Sequence, residues 1–399
     1  VRSGSSGAIP DSVPYACWLQ DALGRLLDEE VGRTHHDLDF LVGMTFEALF
    51  QQYDYPRQNA LRIDTTASAS KFHDGPVDDD LRAAFTCDVA YVGHQSETPE
   101  DQFLRFRREL AHAPDLVRAV ERLYEVLGER MLEPFPPNAR DITRLVETTL
   151  LAVSGETDPK IRQQLDSMCA RPMADRMLRH QTLQWVADLC DERGWSFHLH
   201  GNGWDLHPTL SRFARPTVDH GEALRACYAC AGTHLHISAN TSRHQRVYEC
   251  FLSGGMALMR RTLADLVPIG ASASAAMGEP ESANTRGPGY VIADHPEAMQ
   301  YIALRQRYGL GHSSQIMRPL QGGAELAPDN AWLLVDPSEV TFSTKDELAS
   351  RLERCRTSPA WRASMAGAIR ERVMRHCTTE AAARRVLAFL QERCQSYVP

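Results

Sequence analysis

Residues 235–259 read LHISANTSRHQRVYECFLSGGMALM and are the most informative part of this chain. A short apolar run leads into a polar loop, a helical segment, a glycine pair and a second apolar run. Apolar runs of this length that alternate with helical segments are typical of parallel strands joined by a crossover helix. The stretch therefore predicts a strand–helix–strand unit of an α/β domain.

Two charged residues stand at the start of the predicted helix, where the polar loop ends. Arg246 and Glu249 are three positions apart, so they share one face of a helix. A planar cation and a carboxylate at a helix N-terminus suit a ligand that carries both phosphate and sugar hydroxyls. We expect a nucleotide-sugar site here. The alternative is an ion pair on the helix surface.

The composition is that of an ordinary globular protein. The chain has 399 residues, 43% of them hydrophobic, and a net charge of -9, which suggests two or three domains with real cores. A negative chain without clustered Lys and Arg argues against nucleic acid as a partner. No apolar run approaches the roughly 20 residues that span a bilayer, and no secretory signal is visible.

The ten cysteines are scattered, mostly in apolar contexts, and a chain this long needs no disulfide framework. We expect reduced thiols and a cytoplasmic protein. Cys227 and Cys230 form a CxxC without a second pair at zinc-site spacing, so two small residues on a buried helix are the simpler interpretation.

Strand and helix patterns alternate along most of the chain, which predicts parallel sheets covered by helices on both faces. We divide the chain into an N-terminal Rossmann-like domain (8–85) and a C-terminal Rossmann-like domain (86–380) that carries a helical insertion (97–175). The N-terminal domain is short, so it could be incomplete. The final helix (381–399) could cross back to the N-terminal domain. The predicted strands are 37–44, 60–63, 86–93, 195–200, 233–238, 255–259, 290–293 and 332–335, and 268–288 reads as a loop.

Several motifs together resemble the group 1 glycosyltransferases of GT-B fold, in particular the spore-maturation-protein-like branch. They are PYACWLQD (14–21), DVAYVG (88–93), FHLHGNGW (197–204), RVYECFLSGG (246–255) and KDEL (345–348), the last followed by a basic helical tail. Their order and spacing cover about 220 residues. The resemblance implies two Rossmann-like domains that face a cleft, with the donor in the C-terminal one and an unknown acceptor across it.

The resemblance also implies roles for individual residues. Glu249 would hold the ribose hydroxyls, and Arg246 would meet the diphosphate and stabilise the leaving group, without a metal or another cofactor. The donor would be a UDP- or GDP-linked sugar. The other donor-binding candidates are Gly93, Gly201, Gly203, Trp204, Asn240, Thr241, Arg243, Gly254 and Gly255.

One position departs from the family pattern. Many retaining relatives carry a second glutamate eight residues before the ribose-binding one, and here that position is Thr241. The transfer of the family's catalytic residue is therefore open. Retaining or inverting stereochemistry stays unresolved, although the family leans towards retention.

Three further side chains have two interpretations each. Asp21 could be a general base for the acceptor hydroxyl or a carboxylate that favours a helix dipole. His94 could touch donor or acceptor, and we count it with Asp21 and Arg246 as a catalytic candidate. Trp204 could stack on a nucleobase or pack under its turn.

Four histidines alternate on two predicted strands, which are 198 and 200 on one and 234 and 236 on the other. If the strands were neighbours, these imidazoles could meet as a metal site. No Asp or Glu stands at a convincing spacing, so we expect no metal.

The leading hypothesis is thus a nucleotide-sugar-dependent glycosyltransferase. Another Rossmann-type enzyme is the first alternative, but no GxGxxG follows any predicted strand. A non-catalytic nucleotide-binding module is the second alternative.

Overall fold

The chain folds into an α/β protein whose described strands all pair in parallel. This confirms the α/β part of the predicted fold class. The computed structural model describes residues 10, 12–20, 29–45, 49–50, 53–63, 65–95, 97–132, 136–137, 139–155, 158–239, 244–261 and 339–395. The predicted strands 290–293 and 332–335 and the loop 268–288 lie outside these residues.

The first sheet has three strands in the order β1-β2-β3, namely β1 Tyr15–Leu19, β2 Asp39–Gly43 and β3 Ala60–Arg62, with the short helix α1 Glu29–Arg33 between the first two. Its side chains alternate between two faces, as the pleat requires. Leu19 and Leu41 pack with Leu49 on one face, and Val42 packs with Ile63 on the other. The predicted strands 37–44 and 60–63 are confirmed within one or two residues.

The second sheet has six strands in the order β6-β5-β4-β7-β8-β9. Strand β4 is central. The chain adds β5 and then β6 on one side of β4, and it then returns to add β7, β8 and β9 on the other side. This is the strand order of a doubly wound Rossmann-like sheet. The strands are β4 Val89–Val92, β5 Phe197–His200, β6 Ala214–Arg215, β7 Thr233–His236, β8 Ala257–Arg260 and β9 Thr341–Phe342.

Helices cover this sheet, and prolines mark the start of several. Pro99, Pro114, Pro159 and Pro359 each stand in the first turn of a helix, where a missing amide hydrogen costs nothing. The helices are α2 Asp79–Phe85, α3 Pro99–Glu109, α4 Pro114–Arg130, α5 Ala139–Ser154, α6 Pro159–Gln164, α7 Arg171–Arg193, α8 Glu222–Cys230, α9 Gln245–Leu252, α10 Lys345–Thr357, α11 Pro359–His376 and α12 Thr379–Gln395.

Helices α6 and α7 form one continuous rod from residue 159 to residue 193. The segment Leu165–Ala170 between them is a π-helical turn whose flanking residues keep helical dihedrals. The wide turn ends just before Pro172, which has no amide hydrogen to donate. The predicted end of the helical insertion at residue 175 therefore falls inside this rod.

Two chain crossings between the sheets lie side by side. The Ala67 amide donates to Cys377 O (3.0 Å) and the Thr379 amide donates to Ala67 O (2.9 Å). Beyond this point α12 packs on the first sheet, where Phe389 meets the ring of Phe40 edge-on at 5.7 Å. The last helix thus covers the sheet formed by the first strands.

Candidate functional site

The strand order places a crevice beyond the carboxyl ends of β4 and β7. These two strands are neighbours, but the connections that follow them run to opposite sides of the sheet. Parallel sheets bind ligands at this topological switch point, because no crossover covers the space between the diverging loops. The residues after Val92 and His236 are therefore the natural starting point for a site.

The loop after β4 is tied to the loop after β5. The Gly93 amide donates to His200 O, the Gln95 amide donates to Asn202 O, and the Asn202 amide donates to Nδ1 of His94 at 3.0 Å. Since Nδ1 of His94 accepts this bond, the neutral ring carries its proton on Nε2. The His94 side chain is exposed, so it offers a donor to a ligand oxygen at the crevice.

Gly201 and Gly203 make the close approach of these loops feasible. Gly201 has φ +140°, and a Cβ there would lie 2.3 Å from Gly93 O. Gly203 has φ +86°, and a Cβ there would lie 2.1 Å from Gln95 O. We expected these glycines to let the backbone approach a ligand. The structure corrects this expectation, because the atoms that come close to them are carbonyl oxygens of the neighbouring loop.

Trp204 does not present a face to a ligand. Its side chain is fully buried, and its Nε1 donates to Gly93 O at 2.6 Å. Of the two interpretations, stacking on a nucleobase is wrong for this conformation. The indole packs under the turn and holds the end of β4 in place.

Arg246 lies at the switch point. It stands at the second position of α9. His244 caps this helix, because its Nδ1 accepts a hydrogen bond from the Arg246 amide (3.2 Å). The guanidinium reaches across to the carboxyl end of β4, where Nη1 lies 3.4 Å from Val92 O. The Arg246 side chain is exposed. A cation thus spans the two strands that diverge here.

Glu249 is held by the protein instead of facing solvent. Its Oε1 accepts from Nε2 of Gln245 (2.8 Å) and lies 3.5 Å from Nε2 of His220, while Oε2 accepts from the Tyr228 hydroxyl (3.4 Å). The carboxylate side chain is 3% exposed and that of His220 is 53% exposed. No ion pair joins Glu249 to Arg246 among these described contacts, so the surface-pair alternative is wrong. The half-exposed His220 thus lies between the buried carboxylate and solvent.

The glycine pair after α9 lies away from the crevice. The helix starts at the carboxyl edge of the sheet and runs about 12 Å back to the amino edge, where β8 begins. Gly254 ends the helix with φ +80°, and a Cβ at Gly255 would lie 2.2 Å from Tyr228 O. Their predicted role in donor binding is wrong, because they serve the helix end and its packing on α8.

The structure adds two residues that the sequence analysis missed. Arg179 on α7 places Nη1 3.4 Å from His94 O and lies close enough to Tyr91 to affect its ionisation. Burial raises the pKa of Tyr91, while the positive charges of Arg179 and Arg246 act to lower it. Both guanidiniums therefore lie near the same buried hydroxyl at the end of β4.

The four strand histidines do not form a metal site. Strand β4 separates β5 from β7, so the two histidine pairs are not on neighbouring strands. Nδ1 of His200 contacts Pro216 O (3.0 Å), and Nε2 of His234 contacts Cys227 O (2.9 Å). Across the described residues, no group of three or more His, Cys, Asp or Glu side chains is arranged to hold a metal ion.

Four predicted site residues, Asp21, Asn240, Thr241 and Arg243, lie outside the described residues. Where the helices are described, none combines the length and apolar character needed to cross a membrane. No family model, curated protein or solved structure matches this chain. The functional argument therefore rests on the geometry of the switch point.

Proposed function

We propose that this chain is a glycosyltransferase of GT-B fold that transfers a sugar from a nucleoside diphosphate donor. The observation that carries the proposal is the position of Arg246, whose guanidinium spans the diverging strands β4 and β7 of a doubly wound sheet. A fixed cation at that point stabilises the charge that develops on a departing diphosphate. A second parallel sheet in the same chain supports a two-domain enzyme with an acceptor side.

The surrounding residues have distinct tasks in this proposal. Glu249 accepts hydrogen bonds from the ribose hydroxyls once His220 moves aside, because a carboxylate accepts two such bonds at once. His94 donates from Nε2 to a ligand oxygen at the mouth of the crevice. Side chains neutralise the diphosphate, so chelation of divalent metal should leave binding and turnover unchanged.

A non-catalytic nucleotide-binding module is the second candidate. The enclosure of Glu249 favours it, because a carboxylate already held by Gln245, Tyr228 and His220 also fits a structural role. Such a module would bind the nucleotide without releasing it from a sugar donor. Turnover therefore separates the two candidates.

The test begins with thermal unfolding in the presence of UDP, GDP, ADP, S-adenosylmethionine and NAD. A bound nucleoside diphosphate at 100 times its Kd should stabilise the protein by about 2.7 kcal/mol. Release of the same diphosphate from its sugar conjugates then measures turnover with and without EDTA. Arg246→Ala should weaken binding or turnover at least about tenfold, or about 1.4 kcal/mol.

Three outcomes would overturn parts of the proposal. Stabilisation by S-adenosylmethionine or NAD but by none of the diphosphates would reject the nucleotide-sugar assignment. Binding without any release from a broad set of sugar conjugates would favour the binding module. Wild-type behaviour of a folded Arg246→Ala variant would remove Arg246 from the site.

A further inference from the structure

The helix that leads the chain back into β5 does not begin at the carboxyl edge of the sheet, although the short helix α3 begins near that edge at Pro99. In doubly wound folds the crossover helix usually begins at this edge, and its free amides bind the phosphates of the ligand. Here the rod of 159–193 passes the edge as continuous helix, since Arg179 within it contacts His94 O. The rod starts at Asp158, about 30 Å of helix before Arg179.

Guanidinium groups occupy the place where those amides would be. Arg176 and Arg179 are three residues apart on one face of α7. Arg179 pairs with Asp175 and reaches His94 O, while Nη1 of Arg176 lies 3.1 Å from Oε1 of Glu97, just after the β4 loop. The side chains of Arg176 and Arg179 are 20% and 24% exposed, so both are reachable from solvent.

We propose that Arg176 and Arg179 bind phosphate oxygens of the ligand together with Arg246. This inference rests on the proposed function, in which Arg246 binds the diphosphate from one side. It assigns Arg176 and Arg179 to the other side. Arg246 approaches the end of β4 from α9, and Arg179 approaches it from α7. A diphosphate offers oxygens to both sides at once, as bidentate guanidinium recognition requires.

The balance of charge supports an anionic ligand. Four guanidiniums gather around the β4 loop, from Arg105, Arg176, Arg179 and Arg246, and three carboxylates, Glu97, Glu109 and Asp175, pair with the first three of them. Burial lowers the pKa of Arg176, and the neighbouring charges of Arg105 and Arg179 lower it further. A dianion placed among these groups would relieve the repulsion between like charges.

The test measures binding to the folded full-length chain by isothermal titration calorimetry. The probes are UDP, GDP, ADP, the matching nucleosides and inorganic pyrophosphate. Arg179→Gln and Arg176→Gln should each weaken the best diphosphate about 10- to 100-fold, the range of a charge-assisted hydrogen bond. Nucleoside binding should change less than about threefold because the nucleoside carries no phosphate.

Arg193→Gln is the matched control, because Arg193 lies on the same helix at the other edge of the sheet and pairs with Glu353. It should bind every probe as the wild type does. Arg179→Lys should recover part of the affinity by keeping the charge. If Arg179→Gln does not fold, Arg176→Gln tests the proposal by itself. This variant should fold, because Glu97 still has Arg105 as its ion-pair partner.

The outcomes distinguish the two proposals. Diphosphate binding that is equally tight in wild type, Arg176→Gln and Arg179→Gln overturns this inference and leaves the proposed function standing. Pyrophosphate binding that depends on both arginines, without any nucleotide preference, supports the anion site and rejects the nucleotide-sugar donor. Absence of binding for every diphosphate and for pyrophosphate overturns both.

Discussion

Glu249 is the residue for which sequence and structure raise different questions. Its position in RVYECFLSGG suggested a ribose ligand, and the structure shows a carboxylate enclosed by Gln245, Tyr228 and His220. Its lone pairs are occupied by protein donors, one of which belongs to a half-exposed histidine. Ribose binding thus requires an exchange of partners, and that exchange is measurable.

We predict that the wild-type protein discriminates between a nucleoside diphosphate and its 2′,3′-dideoxy analogue by about tenfold in Kd, since the two lost hydrogen bonds to a charged acceptor, offset by the return of His220 to the carboxylate, leave a net loss of about 1.5 kcal/mol. Glu249→Gln should bind the parent compound about tenfold more weakly and lose this discrimination. Calorimetric titration of both compounds provides the measurement. Tyr228→Phe is the control, because it removes only a 3.4 Å contact to Oε2. Equal affinities of the wild type for both compounds would exclude the ribose role.

Gly201 tests the backbone geometry at the end of β4, and Gly128 inside helix α4 is its control. Gly201→Ala should destabilise the protein by at least about 2 kcal/mol, because φ is +140° and the new Cβ would lie 2.3 Å from Gly93 O. Gly128→Ala should instead stabilise it by about 0.5–1 kcal/mol, since this helical position has open space around it. Urea unfolding of both variants measures the difference. Tolerance of alanine at 201 would contradict the described contact between the loops.

At the scale of elements, helix α8 fastens the segment that joins the two sheets. Arg225 is buried, and its guanidinium donates to the carbonyls of His73, Gly75 and Pro76 as well as to Glu222. These three carbonyls lie in irregular backbone, and the guanidinium supplies the hydrogen-bond donors that a helix or sheet would otherwise supply. Together with Arg370 on α11, which donates to Asp74 at 2.7 Å, Arg225 holds the segment before α2 against the second domain's helices.

Arg225→Met should lower the free energy of unfolding by about 2–3 kcal/mol, because the carbonyls lose charge-assisted donors. Glu222→Gln is the matched control, and its effect should stay below about 1 kcal/mol since the Glu222 carboxylate is largely exposed. Chemical denaturation followed by tryptophan fluorescence checks both. A similar effect of the two changes would show that the ion pair, and not the carbonyl contacts, matters.

The elements themselves were largely predictable from sequence, and the reasons are local. Strands β4, β5, β7 and β8 are short apolar runs that end at turn residues, and helix α9 has an apolar face. The continuity of 159–193 was not predictable, because Pro172 indicates a helix break while a π-helical turn accommodates it. Arg179 was missed because it meets His94 from 85 residues away. Gly254 and Gly255 were misassigned because a motif does not tell which end of its helix faces the ligand.

On the scale of the whole molecule, buried neutral histidines link stability to pH. Burial is the main cause that lowers the pKa of His180 to about 3 and of His234 to about 4. The unfolded chain takes up these protons near pH 6.5, whereas the folded chain resists them. The stabilisation is therefore complete above about pH 6.5 and is lost as the pH falls towards 4.

We predict that the free energy of unfolding decreases by up to about 1.4 kcal/mol per pH unit for each such histidine between pH 6 and pH 4.5. Urea titrations at intervals of half a pH unit measure the slope. His234→Gln should reduce the slope by the contribution of one histidine. A flat profile in the wild type over this range would contradict the neutral state of the buried rings.

The packing of Ala382, Val386 and Phe389 on the first sheet has a consequence for synthesis. A ribosome makes strands β1 to β3 more than 300 residues before it makes the helix that covers one of their faces. Val42 and Ile63 must therefore stay exposed, or be shielded by a chaperone, until translation has passed residue 389. Strands β1 to β3 can reach their native core only after helix α12 has been made.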